Sequence, residues 1–306
     1  MKVLVATEKP FAKAAVNGIR EIVEKNGHSL SLLEKYSSPE ELKAAVADAD
    51  ALIVRSDKVT ADVVEAASCL KIVVRAGAGY DNLDLAACSA HGIVAMNTPG
   101  QNSNAVAELA LGLMIYMNRN QFTPGTGSEL KGKTIGIQAY GNVGRLVGKL
   151  AMGFGMDVIA FDPFLSAEKI EQSGARVASS LEELYEKSDF VSLHIPATPQ
   201  TKGSIGKDLV SRMPKGACLI NTARKEVINE SELLEVLTER EDLRYVADVA
   251  PERAEEFKEK LGKRYFGTPK KMGAETAEAN INAGLAAASQ ICRFFSDGDR
   301  TFQLNK

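Results

Sequence analysis

The stretch that decides the fold of this 306-residue chain is Lys133-Thr-Ile-Gly-Ile-Gln-Ala-Tyr-Gly-Asn-Val-Gly-Arg145. An apolar run at 134–137 has the composition of a strand, and it enters a helix starting near Asn142 through the pattern Ala-x-Gly-x-x-Gly. In a dinucleotide-binding turn of this kind, the glycines allow a tight turn, a close approach of the backbone to a pyrophosphate, and close packing of the helix on the strand. The free N–H groups and positive dipole of the helix N-terminus then favour the anion.

Two further residues bear on this interpretation. Ala139 occupies the first glycine position, so the turn must avoid a left-handed conformation or cost about 1–2 kcal/mol. Asp162 follows the next predicted strand, 18 residues after Gly144. A carboxylate there accepts hydrogen bonds from ribose hydroxyls and repels a 2′-phosphate, which favours NAD over NADP. The alternative is an ordinary turn with Asp162 capping a loop. The candidate cofactor contacts here are Tyr140, Gly141, Asn142, Val143, Gly144 and Asp162.

The rest of the chain alternates short apolar runs with longer helical patterns. We predict strands at residues 2–7, 29–33, 51–54, 71–74, 93–96, 134–137, 158–161, 190–193, 217–221 and 244–247. We predict helices at 11–25, 39–47, 102–117 and 274–295, and helices that start near Thr60 and Asn142. A Gly-, Thr- and Pro-rich stretch at 121–128 reads as a linker. The alternation predicts an α/β protein with two parallel-sheet units in series.

Composition excludes several functional classes. Lys plus Arg number 37 against 40 Asp plus Glu, a net charge of −3, which does not favour nucleic acid or an anionic membrane as a partner. The longest apolar stretch, 105–117, is interrupted by Glu108 and is shorter than the roughly 20 residues that cross a bilayer. The four cysteines and three histidines are widely spaced, so we expect no disulfide framework and no metal. With no signal peptide recognised, these features predict a cytoplasmic protein.

Six sequence blocks resemble one family. They are Arg75-Ala-Gly-Ala-Gly-Tyr-Asp-Asn-Leu-Asp84, Asn97-Thr-Pro-Gly-Gln-Asn-Ser103, Leu193-His-Ile-Pro-Ala-Thr198, Ile220-Asn-Thr-Ala-Arg224, Ala247-Asp-Val249, and Thr268-Pro269 followed by Gly273-Ala274. Together with the glycine turn, they resemble the D-2-hydroxyacid dehydrogenase family, specifically its 3-phosphoglycerate dehydrogenase branch. The resemblance covers nearly the whole chain.

The resemblance implies an architecture and an activity. Residues 1–100 with 274–306 would form a discontinuous, flavodoxin-like substrate domain, and 101–273 a Rossmann NAD domain. Both would be doubly wound parallel sheets, with the active site in the cleft between them. The implied reaction is NAD-dependent oxidation of 3-phospho-D-glycerate to 3-phosphohydroxypyruvate, the entry to serine biosynthesis, with hydride passing from C2 to the nicotinamide. The alternatives are a glyoxylate or hydroxypyruvate reductase, another D-2-hydroxyacid dehydrogenase, and a non-catalytic NAD-sensing corepressor.

The resemblance also implies roles for individual residues. Arg224 follows an apolar strand, and its planar fork suits the carboxylate and adjacent oxygen of a substrate. The other expected substrate contacts are Arg55, Ser56, Lys58, Arg75, Gly77, Ala78, Gly79, Asn102 and Ser103. The expected cofactor-side residues are His194, Pro196, Thr222, Ala223, Asp248 and Gly273, with His194 in a structural role.

The acid/base position departs from the family pattern. The family places a histidine directly after Thr-Pro, whereas this chain reads Thr-Pro-Lys270-Lys271-Met-Gly, with one added residue. Counting back from Gly273 selects Lys271, and counting on from Pro269 selects Lys270; we favour Lys271 because the following helix is the firmer anchor. A lysine can act as acid/base if its pKa falls, which burial and a neighbouring ammonium promote. The usual glutamate partner also lies one residue early, so Glu252 stays an open assignment.

Two features concern assembly and regulation. The connection at 117–130 is shorter than the segment that contributes to a dimer in related enzymes, which argues against dimerisation through that surface. We still expect a homo-oligomer, most simply a dimer, without a defined interface. The sequence stops at Lys306, and we expect no serine-sensing regulatory domain. The expected partner is a small phosphorylated 2-hydroxy acid.

Overall fold

The computed structural model describes residues 1–305, in which strands and helices alternate from the first residue onward. The elements up to Asn97 are β1 (Lys2–Thr7), α1 (Lys13–Lys25), β2 (Ser29–Glu34), α2 (Pro39–Val46), β3 (Ala51–Val54), α3 (Ala61–Ala66), β4 (Ile72–Arg75), α4 (Leu85–Ala90) and β5 (Val94–Asn97). The next are α5 (Ser103–Asn118), β6 (Thr134–Gln138), α6 (Asn142–Gly153), β7 (Asp157–Phe161), α7 (Ala167–Glu171), β8 (Arg176–Val177), α8 (Leu181–Glu186) and β9 (Phe190–Leu193). The last are α9 (Lys207–Val210), β10 (Cys218–Asn221), α10 (Glu230–Glu239), β11 (Arg244–Ala247), α11 (Ala254–Leu261), β12 (Tyr265–Gly267) and α12 (Ala277–Asp297).

The first of two compact units consists of Met1–Asn102 and the chain from Glu275 onward. Its sheet has five parallel strands in the order β2-β1-β3-β4-β5, which is the flavodoxin-like order. Helix α12 packs beside α1, where Gly284 lies against Ile19 and Phe11, and its Ala287 and Ile291 are fully buried. The last helix of the chain therefore completes the core of the first unit.

The second unit, Ser103–Ala274, contains a seven-stranded parallel sheet. The strand order β12-β11-β10-β9-β6-β7-β8 reverses direction between β6 and β9, as in a Rossmann fold. In open parallel sheets, ligands bind beyond the carboxyl ends of the strands at this switch point. The glycine turn leaves β6 at this point.

The predicted α/β class with two parallel sheets is confirmed, and the ten predicted strands are present with shifts of about one residue. The short strands β8 and β12 were not predicted, because two or three residues carry no periodic pattern. The predicted start of the last helix at 274 was wrong, since α12 begins at Ala277 after Thr276, whose side chain accepts from the Ala279 N–H at 3.1 Å. No helix in residues 1–305 has the length and apolar composition that crossing a bilayer requires.

Candidate active site

The turn between β6 and α6 is left-handed at Ala139, whose φ is +71°. Its N–H donates to the Phe161 carbonyl at 2.9 Å, and the next N–H, of Tyr140, donates to Asp162 Oδ2 at 2.8 Å. The Tyr140 ring is fully buried, and its hydroxyl lies 2.9 Å from Ser173 Oγ. The turn therefore adopts the strained conformation that an alanine disfavours, and neighbouring groups hold it there.

The two glycines of the turn differ in what they permit. A Cβ on Gly144 would overlap the main-chain oxygen of Ala139 and lie 3.0 Å from Ile137 Cγ2, so α6 packs closely on β6 only with glycine there. A Cβ on Gly141 would meet nothing within 4 Å among the described residues, so the space at this position is open. Asn142 is exposed and Val143 half-buried at the same N-terminus. The arrangement fits an anion that approaches the first turn of α6.

The carboxylate of Asp162 has protein partners on both oxygens. Besides the Tyr140 bond, Oδ1 accepts from the Phe164 N–H at 2.9 Å. Asp162 therefore does cap the loop that follows β7, as the alternative interpretation of this residue expected. A carboxylate offers about four lone-pair sites, so two main-chain bonds leave capacity for ribose hydroxyls.

The segment after β10 is shaped by Asn221. Its Oδ1 accepts from the Ala223 N–H at 3.0 Å, and its Nδ2 donates to the Arg224 carbonyl at 2.9 Å. Arg224 is exposed, and its Nη1 donates to the Ala223 carbonyl at 2.9 Å. Thr222 is buried, and among residues 1–305 its hydroxyl has no hydrogen-bond partner. A buried hydroxyl without a hydrogen-bond partner costs free energy, so the Thr222 hydroxyl is a candidate to bind a ligand.

Asp248, at the end of β11, holds the segment that bears the two lysines. Its side chain is fully buried, Oδ1 accepts from the Met272 N–H at 3.0 Å, and Oδ2 accepts from the Gly273 N–H at 2.9 Å. The Thr268 hydroxyl contacts the main-chain oxygen of Asp248 and lies 2.9 Å from the carbonyl of Lys270. Residues 268–273 are thus held from both ends.

Of the candidate acid/base residues, the structure brings Lys271 next to Arg224. Lys271 Nζ donates to the Ala223 carbonyl at 3.1 Å, the same oxygen that accepts from Arg224. Lys270 is exposed, and its side chain has no hydrogen bond or ion pair within the described residues. Glu252, 76 % exposed, pairs with Lys225 at 3.0 Å beside a cavity of about 460 Å³.

The remaining cofactor-side residues lie near the carboxyl end of β9. His194 Nε2 lies 2.9 Å from Ser192 Oγ, and its main-chain N–H donates to the Gln138 carbonyl at 3.0 Å. Burial lowers the pKa of His194 to about 3, so the imidazole is neutral near pH 7. Pro196 is exposed two residues further on. A neutral ring bound to a hydroxyl fits the structural role expected for His194.

In the first unit, the Arg55 side chain makes hydrogen bonds and a ring contact with other residues of the protein. Nη1 donates to the carbonyls of Lys9 at 3.2 Å and Pro10 at 3.5 Å. Nη2 donates to Asn280 Oδ1 at 2.6 Å, and the guanidinium lies 5.3 Å from the centre of the Phe11 ring. These contacts tie the loop after β1 to α12. Of the neighbouring candidates, Ser56 and Lys58 are exposed and so accessible to a substrate.

The glycine-rich segment after β4 likewise makes contacts within the protein. The Gly77 N–H donates to Thr98 Oγ1 at 2.6 Å, so it already has an acceptor. A Cβ on Gly77 would overlap Nη1 of Arg75, so glycine makes room for that guanidinium. The exposed Ala78 and half-buried Gly79 have no acceptor for their N–H groups in residues 1–305 and remain candidates for a carboxylate. Asn102 is half-buried, and Ser103 is buried where α5 begins.

Sequence reasoning missed Asp57. It is 5 % exposed, and its carboxylate accepts from the N–H groups of Glu8 at 2.7 Å and Arg55 at 3.1 Å and from the Tyr36 hydroxyl at 2.9 Å. Burial and this bond raise the pKa of the Tyr36 phenol above its usual value. The available signal was an acid between Ser56 and Lys58, directly after an apolar strand.

Comparison with known proteins places this site in a family. Residues 110–268 match the D-isomer specific 2-hydroxyacid dehydrogenase, NAD binding domain. The chain belongs to this family. The D-3-phosphoglycerate dehydrogenase of Methanocaldococcus jannaschii is 39 % identical over 267 residues, which are 82 % of this chain and 51 % of that protein. The hydroxypyruvate reductase of Thermotoga maritima is 36 % identical over 284 residues, 87 % of this chain and 91 % of that protein.

A solved structure of an NAD⁺-bound 3-phosphoglycerate dehydrogenase from Entamoeba histolytica is 50 % identical, with a TM-score of 0.87 over 100 % of this chain and 99 % of that one. This chain spans about half the length of the phosphoglycerate dehydrogenases from Methanocaldococcus jannaschii and Archaeoglobus fulgidus. The resemblance to NAD-dependent D-2-hydroxyacid dehydrogenases is therefore confirmed.

The residues of the second unit fit the dinucleotide of this family. Within residues 1–305, the open space at Gly141, the close approach at Gly144, and the buried hydroxyl of Thr222, which has no partner there, are each suited to a ligand beyond the carboxyl ends of β6 and β10. Asp162 retains acceptor capacity at the end of β7. The prediction of NAD as the cofactor is confirmed at the level of the family domain.

Proposed function

We propose that this protein oxidises 3-phospho-D-glycerate to 3-phosphohydroxypyruvate with NAD, with Arg224 holding the substrate and Lys271 acting as the acid/base. The observation that carries this proposal is the single Ala223 carbonyl that accepts from both side chains, at 2.9 and 3.1 Å. A guanidinium and an amine therefore lie within two hydrogen-bond lengths of one another, at the residue that follows Thr222, whose buried hydroxyl has no hydrogen-bond partner in residues 1–305. NAD, when bound, supplies the two-electron acceptor.

Arg224 is suited to orient the substrate. Its guanidinium is exposed and presents donors beyond the one that binds Ala223. A bidentate contact with the carboxylate or with the carboxylate and C2 oxygen would fix which face of C2 is presented. Such a contact adds charge-assisted hydrogen bonds that a lysine could not reproduce in the same geometry.

Lys271 is suited to handle the hydroxyl proton. Its neutral amine would accept the proton of the C2 hydroxyl, and its ammonium would return it in the reverse direction. Because Lys271 is exposed here, substrate and cofactor must cover it to supply the desolvation that favours the neutral amine. Arg224 is a second positive charge nearby, and like charges favour the neutral amine in the same direction.

The phosphate is assigned to Lys58 and Ser56. Both are exposed in the loop that follows β3. We assign Arg55 to holding that loop, because its side chain bonds to Lys9, Pro10 and Asn280. In the cell the enzyme would supply the precursor of serine.

A glyoxylate or hydroxypyruvate reductase is the second candidate. The engagement of Arg55 within the protein leaves fewer cations for a phosphate, which favours a smaller substrate. The hydroxypyruvate reductase of Thermotoga maritima also matches over 91 % of its own length. Comparing kcat/KM for 3-phosphoglycerate and glycerate separates the two, and K58A should lower only the value for the phosphorylated substrate.

The acid/base assignment is tested with K271A, K270A and K271H, following formation of NADH by absorbance. K271A should lower kcat by about 10²–10⁴-fold, K270A should stay within a few-fold of wild type, and K271H should recover part of the loss. Added primary amines should restore turnover in K271A and leave K270A unchanged. Full turnover in both single variants and in the double variant would exclude a lysine mechanism. Absence of any turnover with intact NADH binding would favour the non-catalytic NAD sensor.

A further inference from the structure

Asp162 makes contacts that its expected ribose role does not require. Its two carboxylate oxygens accept the main-chain N–H groups of Tyr140 at 2.8 Å and Phe164 at 2.9 Å. One of these bonds reaches back from the end of β7 to the turn between β6 and α6. Asp162 thus connects the ribose edge of the site to the segment expected to face the pyrophosphate.

The residue just before Tyr140 is the one under strain. Ala139 has a φ of +71°, a region in which the Cβ of an L-residue crowds the backbone. The Ala139 N–H is bound by the Phe161 carbonyl, so two successive N–H groups of the turn are held from β7 and the residue after it. The Ala139 carbonyl in turn lies against Gly144 in α6.

We propose that Asp162 is a positioning residue for the pyrophosphate turn, which it holds in the left-handed conformation that glycine would adopt unaided. Without the carboxylate, an alanine at 139 would spend much of its time in right-handed or extended conformations, and cofactor binding would have to restore the turn. With glycine at 139, cofactor binding would have little of the turn's conformation to restore. One consequence is that a substitution at 162 intended to admit NADP would also loosen the turn, and A139G would correct that second effect.

The test compares NADH binding to wild type, A139G, D162A and the double variant, by the change in NADH fluorescence. A139G alone should change the Kd by less than about threefold, because Asp162 already holds the turn. In the D162A background, the same A139G substitution should tighten NADH binding by about 5–30-fold, the factor that corresponds to the cost of left-handed alanine. Loss of the ribose contact is common to both D162A chains, so glycine cannot recover it.

Equal effects of A139G in the two backgrounds would overturn the proposal, because they would show that Asp162 and the turn are independent. A D162A chain that folds only when glycine replaces Ala139 supports it. If neither D162A chain folds, the comparison moves to D162N. There A139G should give a smaller gain, because an amide oxygen accepts a weaker hydrogen bond than a carboxylate and so holds the turn less firmly. No gain in D162N overturns the proposal. Ala47, which is exposed with φ −55°, provides the control: A47G should not tighten NADH binding in any background. These readouts do not involve substrate, so they are independent of the assignments of Lys271 and Arg224.

Discussion

Replacing Asp248 with asparagine should release the segment that carries Lys271. The wild-type carboxylate is fully buried and accepts the N–H groups of Met272 at 3.0 Å and Gly273 at 2.9 Å. An asparagine side chain has one acceptor oxygen, so one of these two N–H groups would face an NH₂ group instead. Loss of one charge-assisted hydrogen bond costs about 1.5–3 kcal/mol, and D248A, which leaves both N–H groups unpaired, should cost more.

Hydrogen exchange followed by mass spectrometry measures this locally, which matters because a chain with two compact units need not unfold in one step. A loss of about 2 kcal/mol corresponds to roughly 30-fold faster exchange in a peptide that covers 268–273. D189N is a matched control, because Asp189 accepts a single N–H, that of Thr134, at 2.8 Å at the start of β6. D189N should leave exchange at 268–273 unchanged.

The kinetic consequence follows from the same contacts. Displacement of the segment would separate Lys271 from the carbonyl that it shares with Arg224, so kcat should fall in D248N. If exchange at 268–273 in both D248N and D248A stays within twofold of wild type, Asp248 does not hold this segment.

Three further outcomes are expected. G144A should lower the free energy of unfolding by about 1–3 kcal/mol and weaken NADH binding, since its Cβ would overlap the Ala139 carbonyl; a normal melting curve and Kd would contradict this. His194, with its pKa lowered to about 3, contributes stability that is present above pH 6.5 and lost as pH falls. In urea unfolding, the free energy of unfolding of wild type should therefore fall by about 2 kcal/mol more than that of H194Q between pH 7 and pH 4.5. A substitution of the exposed His91 is the control and should behave as wild type. E252Q should change kcat by less than about threefold, because an exposed ion pair contributes little, and a large loss would make Glu252 the partner of the acid/base after all.

The element order could be predicted because buried parallel strands are short apolar runs, such as Ala51–Val54 and Phe190–Leu193. The Rossmann turn was recognisable from the glycine spacing together with the preceding strand, the following helix and Asp162. Its left-handed Ala139 was foreseen only as one of two possibilities, because the hydrogen bond that we propose holds it is accepted by Asp162, which lies 22 residues away from the donor, Tyr140, in the chain. The predicted contacts of Tyr140 and Asp162 with the cofactor stay predictions.

The substrate side was harder to predict, because the relevant contacts are distant in sequence. Nothing local distinguishes an arginine that binds a phosphate from Arg55, whose guanidinium meets Asn280, 225 residues further along. The choice of Lys271 relied on counting back from Gly273, and the structure gives that count a physical basis in the Asp248 bonds to Met272 and Gly273. The acid/base role of Lys271 itself stays a prediction.

Helix α12 has a consequence for biosynthesis on the ribosome. The unit Ser103–Ala274 is continuous, so all of its strands are translated before the last helix. One face of the first sheet, which α1 already covers in part, is completed only when Ala287 and Ile291 of α12 pack against it. The unit that is begun first is therefore completed last, and until then the apolar surface that α12 covers stays exposed on the nascent chain.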